Sequence, residues 1–129
     1  MNRLYRGPVV FGEVVYGPGG VCGPRLQRHF QLVAIHAGEL DLKWDNRRVH
    51  VAAGQAILLS PHHREHFLFS KTGETHHSWC AIRPSALPAR LRQRLRALDS
   101  PLPFVGRMTT LLEWGCANAD AADKPLQDA

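Results

Sequence analysis

Between residues 39 and 44 the chain reads ELDLKW, and the alternation is strict: Leu40, Leu42 and Trp44 fall on one side, Glu39, Asp41 and Lys43 on the other. A period of two belongs to an extended strand with one buried and one solvated face. The turn DNRR follows, then VHV, and then AILLS, a short continuous apolar run of the kind found in a strand covered on both sides. HFQLVAIH before Gly38, EHFLFS before the turn KTGE, and THHSWCAIR complete the series. Glycine, proline and asparagine punctuate these segments, and no helical crossover of the length that parallel pairing requires lies between them. The pattern predicts antiparallel strands arranged as a sandwich or barrel.

From Ser85 the period changes. Leu87, Leu91, Leu95 and Leu98 recur at spacings of four, four and three, the stripe of an amphipathic helix. Ser85 is placed to cap it, and Pro88 falls in its first turn, where a missing N–H costs little. After the break DSPLP, the stretch FVGRMTTLLEWG sets Phe104, Met108, Leu111 and Leu112 at helical spacing, with Gly115 as a stop. The last stretch, ANADAADKPLQDA, is small and polar. The expected organisation is a β-barrel with an N-terminal arm over residues 1–84, a helical pair over 85–117, and a tail or linker over 118–129.

Length and composition narrow this picture. A chain of 129 residues, 44% of them hydrophobic, can bury a core without disulfide or metal staples. Cys22, Cys80 and Cys116 are odd in number, far apart and without a CxxC pair, which indicates neither a disulfide framework nor a structural zinc site. No apolar run reaches signal-peptide or membrane-span length, so a soluble cytoplasmic protein without membrane partners is expected. The net charge of +5 raises the question of nucleic acid. Four of the arginines, Arg90, Arg92, Arg94 and Arg96, sit in the predicted first helix, without the interleaved aromatics of a base-stacking surface. No helix-turn-helix, zinc-finger or glycine-rich phosphate motif is present, and the basic stretch reads as a solvated helix face.

The chemistry-bearing residues are mostly histidines. SPHHREHFLF packs His62, His63 and His66 beside Glu65, with His62 and His63 at a turn and read as loop residues. No GxSxG or HExxH occurs, and on a strand His77 and Cys80 point to opposite faces, which disfavours a cysteine nucleophile. No catalytic residue is assigned. The period of two groups His77 with Trp79, and an inward His66 carries Leu68 inward with it. An indole, imidazoles and apolar walls make a small-molecule pocket, and Trp79 filling the core is the plainer alternative.

Gly54, Pro61 and His66 form the pattern G-x6-P-x4-H, which resembles the second motif of the cupin superfamily of antiparallel jelly-roll barrels. In metal-binding cupins that histidine is one ligand, and a first motif supplies HxH and a glutamate before a glycine. Here Gly38 matches the glycine, but Gln31 replaces the glutamate and the HxH region reads PRLQR, residues 24–28. Arginine has no lone pair to offer and a glutamine amide is a weak ligand, so no metal and no other cofactor is expected.

A wider resemblance runs through GPRLQRHFQLVAIHAGELDLKW, VAAGQAILLSPHHREHFLF, THHSWCAIRP and the leucine-striped helices. Over residues 8–116 the chain looks like the N-terminal sensor domain of AraC-type transcription regulators. The resemblance implies a mainly β fold, a cupin-like antiparallel jelly-roll barrel followed by two C-terminal α-helices. It implies an effector bound in the barrel by His77 and Trp79, with His66 and Gln31 at its floor; Leu68, which follows His66 by periodicity, is read as a further ligand-binding residue. It further implies homodimerisation through Leu87, Leu91, Leu95 and Leu98. In some members an N-terminal arm, here residues 1–8, closes over the ligand. Such regulators carry two helix-turn-helix motifs in a second domain, so contact with DNA is expected only through a C-terminal part missing here. The alternative is a stand-alone small cupin enzyme, a metal-dependent dioxygenase or isomerase.

Overall fold

The alternating segments are strands, and two further strands precede them. The computed structural model describes residues 8–117 apart from 105, 109 and 112. Its strands are β1 (Val9–Tyr16), β2 (Val21–Leu26), β3 (Phe30–Ala37), β4 (Glu39–Trp44), β5 (Arg47–Ala52), β6 (Gln55–Leu59), β7 (Arg64–Phe69), β8 (Thr75–Ile82) and β9 (Leu102–Pro103). They form two sheets, ordered β1-β8-β3-β6-β9 and β2-β7-β4-β5, with antiparallel pairing throughout. This is a jelly roll: the pattern predicted an antiparallel sandwich or barrel, and the resemblance implied this arrangement of it. The core lies between the sheets: Val33, Ile35, Ile57 and Leu59 from one meet Leu40, Leu42, Val51, Phe67 and Phe69 from the other.

Register decides which side chains face that core. In β7, Glu65 pairs with Trp44 and Phe67 with Leu42, on the buried face. His66 pairs with Lys43 and Leu68 with Asp41, on the outer face. The expectation that His66 and Leu68 point inward is therefore off by one residue. The physical reason is area: a register that buries Phe67 and Phe69 removes more apolar surface from water than one that buries His66 and Leu68.

The segment after β8 differs from the predicted continuous helix. Ser85 sits inside a 3-10 turn, Pro84–Ala86, and caps nothing, while helix α1 (Ala89–Arg96) begins after Pro88. A proline disfavours the helical conformation in the residue before it, and Leu87 is extended, with φ −114° and ψ 139°. Of the leucine stripe only Leu91 and Leu95 thus lie in α1, with Leu87 before it and Leu98 after. No residue of α1 is buried, and Leu91 and Leu98 are 39% and 40% exposed. The chain then returns to the barrel, where β9 pairs Leu102 with Ala56 and Pro103 with Gln55.

Residues 106–117 are helical wherever described. Phe104 lies ahead of this helix, its N–H bonded to the Gly54 carbonyl at 2.8 Å and its ring packed near Ala34 and Ala56. Gly115 is set against Phe11 on the outer face of the first sheet, where a Cβ would fall 2.3 Å from the ring. Leu111 and Trp114 are each 65% exposed. The arm within residues 1–7, the tail at 118–129 and the side chain of Leu112 lie outside the described residues. No helix among those described is long and apolar enough to cross a membrane.

Candidate functional site

One end of the barrel interior is polar. β2 carries an irregularity between Cys22 and Arg25 that brings Arg25 opposite Glu65. The Arg25 Nε donates to Glu65 Oε1 at 2.8 Å, and its Nη2 donates to Gln31 Oε1 at 2.8 Å. Gln27, just past the end of β2, donates from Nε2 to both of those acceptors, each at 2.8 Å. The His29 N–H in turn fixes the Gln27 amide through its Oε1 at 3.1 Å. Glu65 is 1% exposed, and its two oxygens are unequal: Oε1 takes two donors, whereas Oε2 is buried and accepts none. Burial pushes this carboxyl up to about 7, against the pull of Arg25. Across the strand pair, the buried Trp44 has an indole N–H with no acceptor.

The other polar point is His77, four positions along the same wall, since it pairs with Ile35 where Gln31 pairs with Ala81. Four strand residues span about 13 Å. The imidazole is 5% exposed and stacks on Phe69 at 5.3 Å between centroids and on Tyr16 at 5.7 Å. Among the described residues neither ring nitrogen has a hydrogen-bond partner, and burial lowers its pKa to about 4, so the ring is neutral near pH 7. Apolar side chains separate the two polar points: Val33, Leu42, Ile57 and Phe67, with Trp79 packed against them. Trp79 occupies its place because residue 12 is glycine. A Cβ on Gly12 would lie 2.4 Å from Trp79 Cζ2.

Of the residues singled out in the sequence, Gln31, His77 and Trp79 share the inner face, and His66 and Leu68 do not join them. His62 and His63 are in the loop as read; His63 Nδ1 lies 2.5 Å from Asp45 Oδ2 at the surface. Cys80 faces away from His77, and burial raises its thiol to about 11, which leaves it unreactive. Arg25, Gln27, Trp44, Glu65 and Tyr16 were missed. A signal for Glu65 was present: it shares the parity of Phe67 and Phe69 in EHFLF.

A family profile described as the AraC-like ligand binding domain matches residues 7–128. The chain belongs to this family. Solved structures resemble the AraC-like barrel at the level of fold. One is an RmlC-like cupin with a double-stranded β-helix fold from Methanocaldococcus jannaschii, with TM-score 0.55 and 10% identity over 68% of this chain and 75% of that one. Another is a Cupin 2 conserved barrel domain protein from Salinispora arenicola, with TM-score 0.53 and 18% identity over 72% and 74%. A conserved protein of unknown function from Streptococcus pyogenes gives 0.54 and 20% over 63% and 69%. No curated protein matches the sequence.

Arg25 and Gln27 lie in the region, and Gln31 at the place, that resemble the HxH and glutamate ligands of metal-binding cupins; here Glu65 joins them, while His66, at the place of the second-motif histidine, faces outward. The residues present do not fit an ion. The sole carboxylate of the set is engaged by a guanidinium, whose positive charge opposes a cation, and the two amides bond to their neighbours. Among the described residues no group of three or more His, Cys, Asp or Glu is placed to hold a metal.

Proposed function

We propose that this AraC-like domain is the effector-sensing and dimerisation part of a transcriptional regulator that works in the cytoplasm and reaches DNA through a second domain. The effector lies inside the barrel, between the Glu65 cluster and His77, with Gln31, His77 and Trp79 against it. One observation carries this reading: among the described residues, Trp44, Glu65 and His77, all on inward-facing strand positions, have buried polar atoms that no protein group satisfies. Each such atom costs about 1–3 kcal/mol when left buried and unpaired, and a ligand that satisfies it recovers that energy. The interior is mostly apolar with a few convergent polar groups, the make-up of a small-molecule site. It offers no nucleophile paired with a base, which favours a sensor over an enzyme.

Screening a chemically broad library by thermal shift tests the pocket. At about a hundredfold excess over Kd a true ligand adds roughly 2.7 kcal/mol and raises Tm by several degrees. His77→Phe is expected to weaken that ligand about tenfold, and Trp79→Phe to reduce, beside the contribution of Trp44, the change in tryptophan fluorescence on binding. A ligand that binds both variants as it binds the wild type removes the assignment, and steady chemical conversion of the ligand would favour the cupin-enzyme alternative.

The dimer rests on the apolar residues around α1, with Leu91 and Leu98 exposed and Leu87 and Leu95 half-buried, none of them buried within the chain. Leu91→Glu with Leu95→Glu should give a folded monomer by light scattering, because a symmetric interface meets each substitution twice. A folded variant that keeps the wild-type mass would show that this face is not the interface.

A further inference from the structure

The unsatisfied atoms also say what kind of molecule fits, given the barrel pocket proposed above. Trp44 and Glu65 are directly paired across β4 and β7 and both face inward, which sets their Cβ atoms about 5 Å apart. One presents a buried indole N–H, a donor only. The other presents Oε2, an oxygen whose twin already takes donors from Arg25 and Gln27. A group that meets both must accept from Trp44 and also bond with Glu65.

Charged groups meet this requirement in at most one state of Glu65. An ammonium cannot accept from the indole, and Arg25 already supplies the positive charge beside the carboxylate. A carboxylate accepts from Trp44 but is repelled by an ionised Oε2, so it suits only the protonated state of Glu65. A hydroxyl accepts from Trp44 and donates to an ionised Oε2. If Glu65 carries its proton, the hydroxyl accepts from it as well, so it suits either state of a carboxyl that titrates close to neutral pH. At the far end a neutral imidazole, with one donor and one acceptor nitrogen, again prefers an uncharged partner. Between the ends lie aliphatic and aromatic walls that offer nothing to a chain of further hydroxyls.

We infer that the barrel takes an uncharged alcohol or phenol with an apolar body, its hydroxyl seated between Trp44 Nε1 and Glu65 Oε2. The ligand is thus neither an organic acid nor an amine, and its body is not hydroxylated throughout.

Calorimetric titration of the full chain at pH 7 with four matched probes tests the class: p-cresol, p-xylene, 4-methylbenzoate and 4-methylbenzylamine. The expected result is that p-cresol binds at least about tenfold tighter than each of the others. Trp44→Phe, which removes the N–H and keeps an aromatic ring, should lower p-cresol affinity about tenfold and leave p-xylene unchanged. Equal binding of p-xylene and p-cresol, or tighter binding of either charged probe, overturns the hydroxyl assignment and leaves the pocket standing. Failure of p-cresol at millimolar concentration overturns it as well, and if the library screen also yields no barrel ligand, the sensor reading falls with it.

Discussion

Replacing Glu65 by alanine is expected to lower the unfolding free energy by about 3 kcal/mol above pH 7, where the carboxyl is ionised, the low end of what breaking a buried ion pair costs. The argument rests on what is left behind. Glu65 anchors Arg25 at 2.8 Å and one of the two bonds from Gln27. With the carboxylate gone, the guanidinium keeps only Gln31 among these partners, and no negative charge faces it. The Arg25 side chain is 30% exposed, so water recovers part of the loss, which is why the low end applies. The loss belongs to the unpaired partner rather than to the pair, so Arg25→Leu with Glu65→Leu together should come within about 1 kcal/mol of the wild type. The bond from Gln27 to Gln31 survives in that double variant, so no amide is stranded. Urea unfolding of the three proteins decides it. A double variant as damaged as Glu65→Ala would mean that the cluster, not the orphaned charge, supports this end of the barrel.

The barrel was legible because hydrophobic alternation survives folding almost unchanged in strands such as β4, where the pattern in ELDLKW is the pattern of burial. Reading failed where two registers competed. In EHFLF both parities contain an apolar residue, and only the larger area of the two phenylalanines selects the one that drives Glu65 into the core. The cupin-like spacing G-x6-P-x4-H makes His66 the expected inward residue, and its neighbour Glu65 holds that place. β1 and β2 escaped for a different reason: VVFGEVVY and VCGPRL carry glycine or proline inside the strand, usually a sign of loop. In the structure Gly12 makes room for Trp79, and GP accompanies the irregularity that aims Arg25 at Glu65. The helix start was misplaced because Ser85 is a good cap by composition, while Pro88 holds Leu87 extended and forbids a helix through both. His77 and Trp79 share one face as expected because period two admits one grouping in THHSWCAI.

The two buried titratable groups should pull stability in opposite directions with pH, and single substitutions should expose each in turn. Burial raises Glu65 from 4.5 to about 7, so between those values the folded protein holds a proton that the unfolded chain has released. Stability from this group is fully present below pH 4.5 and is lost as pH rises through 7. Burial lowers His77 from 6.5 to about 4, so over that window the unfolded chain binds the extra proton. Its contribution is present above pH 6.5 and is lost as pH falls through 4. At about 1.4 kcal/mol per pH unit, each window is worth roughly 3 kcal/mol, and between pH 4.5 and 6.5 the two slopes largely offset one another. His77→Phe removes one side of that balance, so relative to the wild type it should lose about 3 kcal/mol on going from pH 4.5 to 7. Glu65→Gln removes the other, and relative to the wild type it should gain a similar amount between pH 4 and 6.5. His29 and His36, both lowered first by burial, add a rise that is common to all three proteins and cancels in the differences. Urea titrations at half-unit steps of pH measure these differences directly. Two difference curves with the same sign of slope would show that one of the two groups is hydrated in the folded barrel, and the apolar interior drawn between them would then be wrong.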